Sequence, residues 1–405
     1  MSHQVNTSLD PAAAPDPAVR AQAAGHRGGP RIPEPAWGAL IYAGIRLLAL
    51  AVAAFLLPRG RFAKLHYSLA HLITSWDSGR YLIIAAHGYS YLPGNLRQDV
   101  IFAWFPGYPA AIDTLAWIPG VGPTHAGFAV TIAAGVAAAW GLARLGLVLT
   151  GSRRVSLLMV ALWAVAPGSI VLVMLYSEAL FCALAVWALV ALAERRWLTA
   201  AGLVILAGTV RSTALALVAA VAVAALPPVV RAVQARQPFA AWWRPAAALL
   251  LAPLGLVGYW GYAAIAMHRL DGWFWVEQNA HLSVDWGRGM VQAVEHAVIS
   301  GPTPAAALTL LVVAAAVTLA AWSLAERIPA ALHAYTLVVV LTALVTGSFY
   351  LGSKPRFLLP AMLLGLPLAR LLAPARAWVL VPLVVVLAAA SAWFGLYLMS
   401  AGWAP

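Results

Sequence analysis

The chain has 405 residues, of which 63% are hydrophobic and only 9% are charged, whereas soluble domains carry about 25% charged residues. Apolar runs of roughly 17 to 25 residues, long enough to cross a bilayer, recur through most of the chain, so the composition excludes a soluble protein and predicts an all-α polytopic membrane protein. The net charge of +12 does not indicate nucleic acid binding, because the basic residues stand singly or in pairs between apolar runs, where they set membrane orientation.

The N-terminal part of the chain, residues 1–34, is rich in Ala, Pro, Gly and Arg and is predicted to be a disordered cytoplasmic tail rather than a cleaved leader. A first span near 37–57 then leads to an outer loop, 58–123. In that loop, apolar and aromatic residues recur at helical spacing, which predicts short helices lying on the membrane surface. The proline-bounded stretch 102–120 is predicted to be an interfacial or re-entrant helix.

The apolar stretch between Arg196 and Arg231 is interrupted by Arg211. A single helix would bury that Arg in lipid at a cost of at least ~2.5 kcal/mol, so we expect two half-spans that meet near the outer surface. About eleven spans are predicted in a single transmembrane domain, 35–400, with outer loops at 58–123 and 268–303 and a cytoplasmic N-terminus. The other predicted spans lie near 124–149, 155–175, 176–194, 245–266, 304–325, 332–350, 357–373 and 377–399.

Two acids stand out against the apolar background. Asp77 lies between Trp76 and Ser78 in the first outer loop, where shielding would suit a general base for a hydroxyl nucleophile; alternatively, it caps a surface helix. Glu178 heads an apolar run, where ionisable groups are usually functional. It would position a substrate hydroxyl or pair with Arg211, or it is a first-turn acid stabilised by the helix dipole.

Several cations are candidates for contact with a lipid phosphate. Arg211, Lys354 and Arg356 are expected near an outer cavity, and Arg is well suited to bidentate phosphate contacts. Arg80 and His87 are further candidates. The alternative for each cation is that it snorkels to anionic headgroups.

The second outer loop holds polar and aromatic residues that would hydrogen-bond and stack on a sugar: Gln278, His281, Asp285 and Trp286. An interfacial loop with aromatic anchors explains them almost as well. The histidines of the outer loops show neither HxxxH nor HExxH spacing, and the single Cys182 excludes an intrachain disulfide and a Cys-based metal site. No metal site is therefore predicted.

Five stretches occur in the order "WDSGRYLIIAAHGY" (76–89), "FAWFPGYP" (102–109), "APGSIVLVMLYSEALF" (166–181), "RST" (211–213) and "SKPRFLLPA" (353–361). Together they resemble the PIG-V-type mannosyltransferases, whose eukaryotic member adds the second mannose in glycosylphosphatidylinositol synthesis. The resemblance covers roughly residues 40–370, and the combination of stretches is far more specific than any one of them.

The resemblance implies a GT-C fold, which is a multi-span transferase with a polyprenyl-phosphate sugar as donor and an essential acid in the first outer loop. By position that acid is Asp77. The same stretches contribute further residues assigned to substrate binding: Trp76, Tyr81, Tyr108 and Tyr176. The sequence departs from the family pattern at Arg80, where an aromatic residue is usual, and at Gly107, where a bulkier residue is common.

The expected function is therefore transfer of mannose from a polyprenyl-phosphate donor to an acceptor hydroxyl at the outer face of the plasma membrane, with inversion. No cofactor is expected, and metal dependence and the acceptor (lipid, glycolipid or protein) stay open. One alternative is a transferase for another polyprenyl-phosphate sugar. The other is a lipid or solute transporter, for which Glu178 and Arg211 would lie at the bilayer centre rather than beside Asp77.

Overall fold

The structure, a computed structural model, describes residues 34–90, 98–280, 283–347 and 351–404. These ranges form helices joined by turns, and β-pairing within them is limited to an isolated antiparallel bridge between Val284 and Thr346. The predicted tail lies outside the described residues, apart from Glu34. In chain order the α-helices are α1 (Glu34–Leu56), α2 (Leu69–Thr74), α3 (Asp77–His87), α4 (Gly107–Ala116), α5 (Pro123–Thr150), α6 (Arg153–Ala164), α7 (Glu178–Ala193), α8 (Trp197–Gly208), α9 (Leu215–Gln234), α10 (Trp243–Leu251), α11 (Leu254–Ala266), α12 (Gly272–Asn279), α13 (Arg288–Ser300), α14 (Pro304–Ser323), α15 (Ala330–Val345), α16 (Lys354–Phe357), α17 (Gly365–Leu372) and α18 (Ala377–Ser400).

The membrane-spanning character is confirmed, but the predicted count of about eleven spans is not. Within the described ranges, 6 helices are long and apolar enough to cross a membrane. A seventh span is possible if the pair Leu351–Phe357 and Met362–Leu372, bent by 79°, is one broken segment. Three more apolar helices are shorter: Glu178–Ala193, Trp197–Val210 and Ala330–Val345. The first loop contains the predicted short helices, α2 to α4, whose position on a membrane surface stays a prediction.

The chain breaks at Arg211, as the cost of an Arg in lipid predicts. Helix α8 ends at Gly208, Arg211 is extended with φ −156°, and a short 3-10 turn leads into α9. The break keeps the guanidinium at the ends of two helices instead of in the middle of one. On which side of the membrane this break lies stays a prediction.

The predicted span 155–175 is wrong, because α6 ends at Ala164 after only 12 residues. The following Ala-Pro-Gly sequence cannot continue a helix, since Pro removes a backbone donor and Gly168 adopts a left-handed φ of +82°. A side chain on Gly168 would lie 2.9 Å from the backbone nitrogen of Arg356. The turn thus brings the two chain segments together at a distance that only glycine permits.

Small residues allow the long helix α5 to pack closely against its neighbours. A Cβ added to Gly135 would lie 2.1 Å from the Tyr42 hydroxyl of α1, and one added to Gly141 would lie 2.5 Å from Val186 of α7. Helices in membranes associate largely through such close van der Waals packing. Helix α7 is thereby fixed against α5, and its first residue is Glu178.

Arg46, in the middle of α1, is fully accommodated inside the protein rather than in lipid. It is 3% exposed and donates hydrogen bonds to the Ser169 carbonyl (2.6 Å), the Ser169 hydroxyl (3.2 Å) and the Ala164 carbonyl. The Ala164 carbonyl lies at the end of α6, where the helix no longer satisfies it, and Ser169 begins the 3-10 turn that follows the break. Arg46 therefore stabilises the same turn that approaches Arg356.

Candidate active site

Asp77 is the first residue of helix α3, and Trp76 occupies the capping position before it with a left-handed φ of 58°. The Asp77 carboxylate does not cap the helix; its Oδ2 accepts a hydrogen bond from Arg356 Nη1 at 2.8 Å. The Asp77 backbone N–H donates to the Tyr176 hydroxyl at 3.3 Å. The carboxylate is thus aimed at a residue 279 positions later in the chain, with its other oxygen not hydrogen-bonded to any described residue.

Four charged residues form a continuous chain behind this carboxylate. Arg356 contacts Asp77 at 2.8 Å and, through Nε, Glu178 at 3.5 Å, and Glu178 contacts Arg211 Nη1 at 2.8 Å. The Glu178 side chain is 1% exposed, and among the described residues its charge is paired with these two guanidinium groups. Because Asp77 and Glu178 each begin a helix, the helix dipoles also favour their negative charges.

The hydroxyls of Ser177 and Tyr81 extend this network from Arg211. Arg211 Nη1 donates to the Ser177 hydroxyl at 3.0 Å, and that hydroxyl shares a hydrogen bond of 2.8 Å with Tyr81. The guanidinium of Arg356 lies over the Tyr176 ring, 5.1 Å from its centroid. Burial raises the pKa of Tyr81 well above its ordinary value, so its hydroxyl stays protonated and available as a donor.

A cavity of about 650 Å³ opens in front of the charged residues, within the size range of small-molecule sites. It brings together six of the residues assigned to the site from the sequence: Asp77, Arg80, Tyr81, Arg211, Gln278 and Arg356. Glu178 and Tyr176 are buried behind its wall and act on it through Arg356 and Asp77. Tyr108, which is 0% exposed, bonds to the Thr131 hydroxyl at 2.6 Å and lies outside the cavity.

Lys354 is not placed as predicted for contact with a phosphate. Its side chain is directed into the protein, where Nζ donates to the carbonyls of Ala343 (2.8 Å) and Thr346. The residue is 1% exposed and does not line the cavity. Lys354 and Arg356 are two residues apart, so on a helix their side chains point in different directions.

Three more residues assigned to substrate binding do not line the cavity. Trp286 is 83% exposed, and the Trp76 side chain is 40% exposed. His87 ends α3, about 15 Å along the helix from Asp77. Of the remaining loop candidates, Asp285 accepts hydrogen bonds from the backbone of Gly287 and Gly289, and His281 lies outside the described residues.

The sequence of this protein is similar to a known enzyme family. A family model described as Mannosyltransferase (PIG-V) matches residues 62–282, more than half of the 405 residues. The protein belongs to the PIG-V mannosyltransferase family. The matched range includes Asp77, Glu178 and Arg211 and ends before Arg356. The predicted family membership is therefore confirmed.

One relative of this chain is the mouse GPI alpha-1,6-mannosyltransferase 2, with 31% identity over 169 residues. The alignment covers 40% of this chain and only 33% of the mouse enzyme. The fold is similar to a crystal structure of ArnT from Cupriavidus metallidurans bound to undecaprenyl phosphate, with a TM-score of 0.50 and 15% identity. That match covers 82% of this chain and 60% of ArnT, and it confirms the predicted GT-C fold.

Gly107, one of the two departures from the family pattern, has a structural reason in this chain. Its backbone N–H donates to the Thr209 carbonyl at 2.7 Å. A Cβ there would lie 2.6 Å from the Thr209 hydroxyl and 2.7 Å from Val210. Glycine therefore lets α4 touch the turn that carries Arg211, and a bulkier residue does not fit.

Sequence analysis missed Glu277, which also lines the cavity. Burial raises the pKa of Glu277 to about 8, although the nearby Arg211 acts in the opposite direction. The residue sits in α12 among Trp273, Phe274 and Trp275. The acid within a run of aromatic residues could have indicated a buried carboxylate. It was overlooked because the segment was expected to be an exposed loop.

The described residues contain no group of three or more His, Cys, Asp or Glu arranged to hold a metal ion. The site within these ranges instead consists of ion-paired carboxylates and guanidinium groups facing a cavity. Such groups can bind an anion, hold a hydroxyl by hydrogen bonds and accept a proton.

Proposed function

We propose that this protein transfers mannose from a polyprenyl-phosphate mannose donor to an acceptor hydroxyl, with Asp77 as general base and with inversion. The observation that carries the proposal is the Asp77 carboxylate, which lines the cavity while Arg356 holds one of its oxygens at 2.8 Å. The other oxygen is available to accept a proton. Family membership supports the sugar, and the similarity to ArnT, whose crystal structure has undecaprenyl phosphate bound, supports the donor class.

In the proposed reaction, the acceptor oxygen attacks the anomeric carbon on the face opposite the phosphate while Asp77 takes the hydroxyl proton. A new carbon–oxygen bond forms, the bond from the anomeric carbon to the phosphate oxygen breaks, and polyprenyl phosphate leaves with the electron pair. A β-linked donor yields an α-linked product. Cations at the cavity stabilise the charge that develops on the phosphate, which is a major source of rate enhancement in enzymes.

The proposed topology places this cavity on the outer side, with the loops 58–123 and 268–303 of one transmembrane domain contributing to its lining and with a cytoplasmic N-terminus. The arrangement of Glu178 and Arg211 favours transfer over transport. Both are joined to Asp77 through Arg356 instead of standing alone along a path through the protein.

The test is turnover of labelled polyprenyl-phosphate mannose by purified protein and by Asp77→Asn. We expect Asp77→Asn to lower the rate by about 10²- to 10⁴-fold, as loss of a general base does. Asp113→Asn is the matched control, because Asp113 is an exposed carboxylate on α4 outside the cavity.

Near wild-type turnover by correctly inserted Asp77→Asn would overturn the assignment of the base. Donors carrying glucose or arabinose on the same lipid distinguish the sugar. Product linkage measured by NMR tests the inversion, since a β-linked product from a β-linked donor would contradict it.

A further inference from the structure

The charges at the cavity leave one cation uncompensated. Three of the described lining residues are cationic: Arg80, Arg211 and Arg356. Arg211 is paired with Glu178, and Arg356 is paired with Asp77 and Glu178. Two guanidinium groups and two carboxylates sum to zero, so a phosphate that relied on Arg211 and Arg356 alone would have to compete with those carboxylates.

Arg80 has a different environment. Its guanidinium carbon lies 4.5 Å from the centroid of the Trp104 ring, and it forms no ion pair with any described carboxylate. Stacking on an aromatic face leaves the N–H donors at the edge of the guanidinium plane free. Five donors in a fixed planar arrangement match the oxygens of a phosphate.

The Trp104 platform is itself fixed by hydrogen bonds. Its carbonyl accepts bonds from the hydroxyls of Tyr89 (2.6 Å) and Tyr259 (3.2 Å). Trp104 stands between a 3-10 turn, Gln98–Ala103, and α4, and it lines the cavity beside Arg80. The backbone that carries the Trp104 ring is therefore held by two hydrogen bonds, and Arg80 stacks on that ring without a described carboxylate partner.

Arg80 follows Asp77 by three residues on α3, so both side chains lie on one face of the helix. Their Cβ atoms are about 5–6 Å apart at that spacing. An anion at Arg80 would therefore lie next to a hydroxyl or sugar at Asp77. Both residues line the same cavity, so one substrate can contact both of them.

The other acid that lines the cavity does not cancel the charge of Arg80 at neutral pH. Burial raises the pKa of Glu277 to about 8, so its carboxyl is mostly protonated there. With the two ion pairs neutral, the described cavity carries the single positive charge of Arg80. A lipid phosphodiester carries a single negative charge and is its complement.

We propose that Arg80, stacked on Trp104, binds the phosphate of a lipid phosphodiester next to Asp77. The proposal rests on the proposed function in taking this cavity as the substrate site. Two substrates have this chemistry, namely the polyprenyl-phosphate sugar donor and a phospholipid acceptor. In either case Arg80 touches substrate directly, while Arg211 and Arg356 position the carboxylates.

The experiment measures equilibrium binding rather than turnover. The full chain is reconstituted in phosphatidylcholine nanodiscs and titrated separately with two phosphodiesters. One is undecaprenyl-phosphate mannose, and the other is phosphatidylglycerol, an anionic phospholipid with free hydroxyls. The variants are Arg80→Gln, Arg80→Lys and Trp104→Leu. Arg269→Gln removes the same charge from an exposed pair with Asp271 and serves as the matched control.

Arg80→Gln is expected to weaken binding of at least one probe by about tenfold or more, since it removes charged hydrogen bonds. Arg80→Lys keeps the charge but loses the bidentate geometry and is expected to fall between Gln and wild type. Trp104→Leu leaves Arg80 intact and is expected to weaken binding several-fold, as cation–π contacts of this kind do. Arg269→Gln is expected to bind like wild type.

Loss confined to undecaprenyl-phosphate mannose assigns Arg80 to the donor, and loss confined to phosphatidylglycerol assigns it to the acceptor. Wild-type affinity for both probes in Arg80→Gln and Arg80→Lys overturns the proposal, even if mannose transfer is demonstrated. Conversely, an Arg80-dependent affinity in a protein that transfers no mannose supports the phosphate site and refutes the proposed function. The melting temperature of each variant shows whether it is folded. If Arg80→Gln does not fold, Arg80→Lys and Trp104→Leu, which both keep a cation at position 80, still test the proposal.

Discussion

Arg356 Nη1 lies 2.8 Å from Asp77 Oδ2, although the two residues are 279 positions apart. The same guanidinium reaches Glu178 through Nε at 3.5 Å. One arginine thus fixes the proposed base relative to the helix that begins at Glu178. The turn at Gly168 packs closely against the Arg356 backbone.

Arg356→Gln is therefore expected to lower the rate by about 100-fold or more, because electrostatic contacts at reacting centres contribute at this level. A double-mutant cycle with Asp77→Asn tests the pairing. Since Arg356 acts through Asp77, the double variant is expected to lose much less than the sum of the two single losses. Additive losses in the cycle would show that the two residues act independently.

A second prediction concerns the buried acid. Glu178→Gln leaves Arg211 and Arg356 without their shared carboxylate inside the protein, and breaking such a buried pair typically costs about 3–5 kcal/mol. Glu194 is the matched control, since it too contacts two arginines, Arg144 at 2.7 Å and Arg196 at 3.8 Å.

The Glu194 pair is exposed, with Arg144 45% accessible, so Glu194→Gln is expected to cost no more than about 1 kcal/mol. The free energy of unfolding of both variants is measured in detergent by denaturant titration. Equal losses in the two variants would mean that burial does not strengthen the Glu178 interactions.

The local sequence was sufficient to identify the charged residues that lie within or beside apolar runs. Arg211 interrupts an apolar run, and the cost of an Arg in lipid correctly predicted a break in the helix. Asp77 and Arg211 both line the cavity, and their roles there stay predictions. The break could be predicted because it depends on one residue and its immediate neighbours.

The pairing of these residues could not be predicted in the same way. Nothing local indicates that Arg356 reaches Asp77 while Lys354, two residues before it, bonds to backbone carbonyls. The helix direction at that point depends on the 79° bend after Phe357. Trp286 was predicted to contact substrate but is exposed, because the composition of a loop does not show which of its side chains point toward the protein.

Gly107 gives a third prediction, on the link between α4 and the Arg211 turn. Gly107→Ala would push against Thr209 and Val210, whose atoms stand 2.6–2.9 Å from the new Cβ, and so displace Arg211. We expect lower stability and a lower rate. Gly258 on α11 has nothing within 4 Å of an added Cβ.

Gly258→Ala is the control for Gly107→Ala, and it is expected to leave activity unchanged and to stabilise the helix by about 0.5–1 kcal/mol. Melting temperature and turnover of the two variants are measured side by side. If the melting temperature and turnover of Gly107→Ala equal those of wild type, the turn at Thr209 accommodates the added Cβ without moving Arg211.

The last prediction is a pH dependence that arises from Glu277. Burial raises the pKa of this carboxyl from an ordinary value of 4.5 to about 8 in the folded protein. Between those two values the folded chain binds a proton that the unfolded chain has lost, so stability falls as pH increases. The contribution is fully present below about pH 4.5, is lost as the pH rises to about 8, and changes no further above that.

Glu277→Gln is expected to abolish this component, because the amide does not titrate. The measurement is the difference in unfolding free energy between wild type and variant from pH 5 to 9, which cancels the other titrating groups. Glu295→Gln, at an exposed position on α13, should show a much smaller difference. If the wild type instead gains stability relative to Glu277→Gln as pH rises, the carboxyl is ionised in the folded state. The cavity would then carry a negative charge beside Arg80 at neutral pH, contrary to the charge balance on which the phosphate site depends.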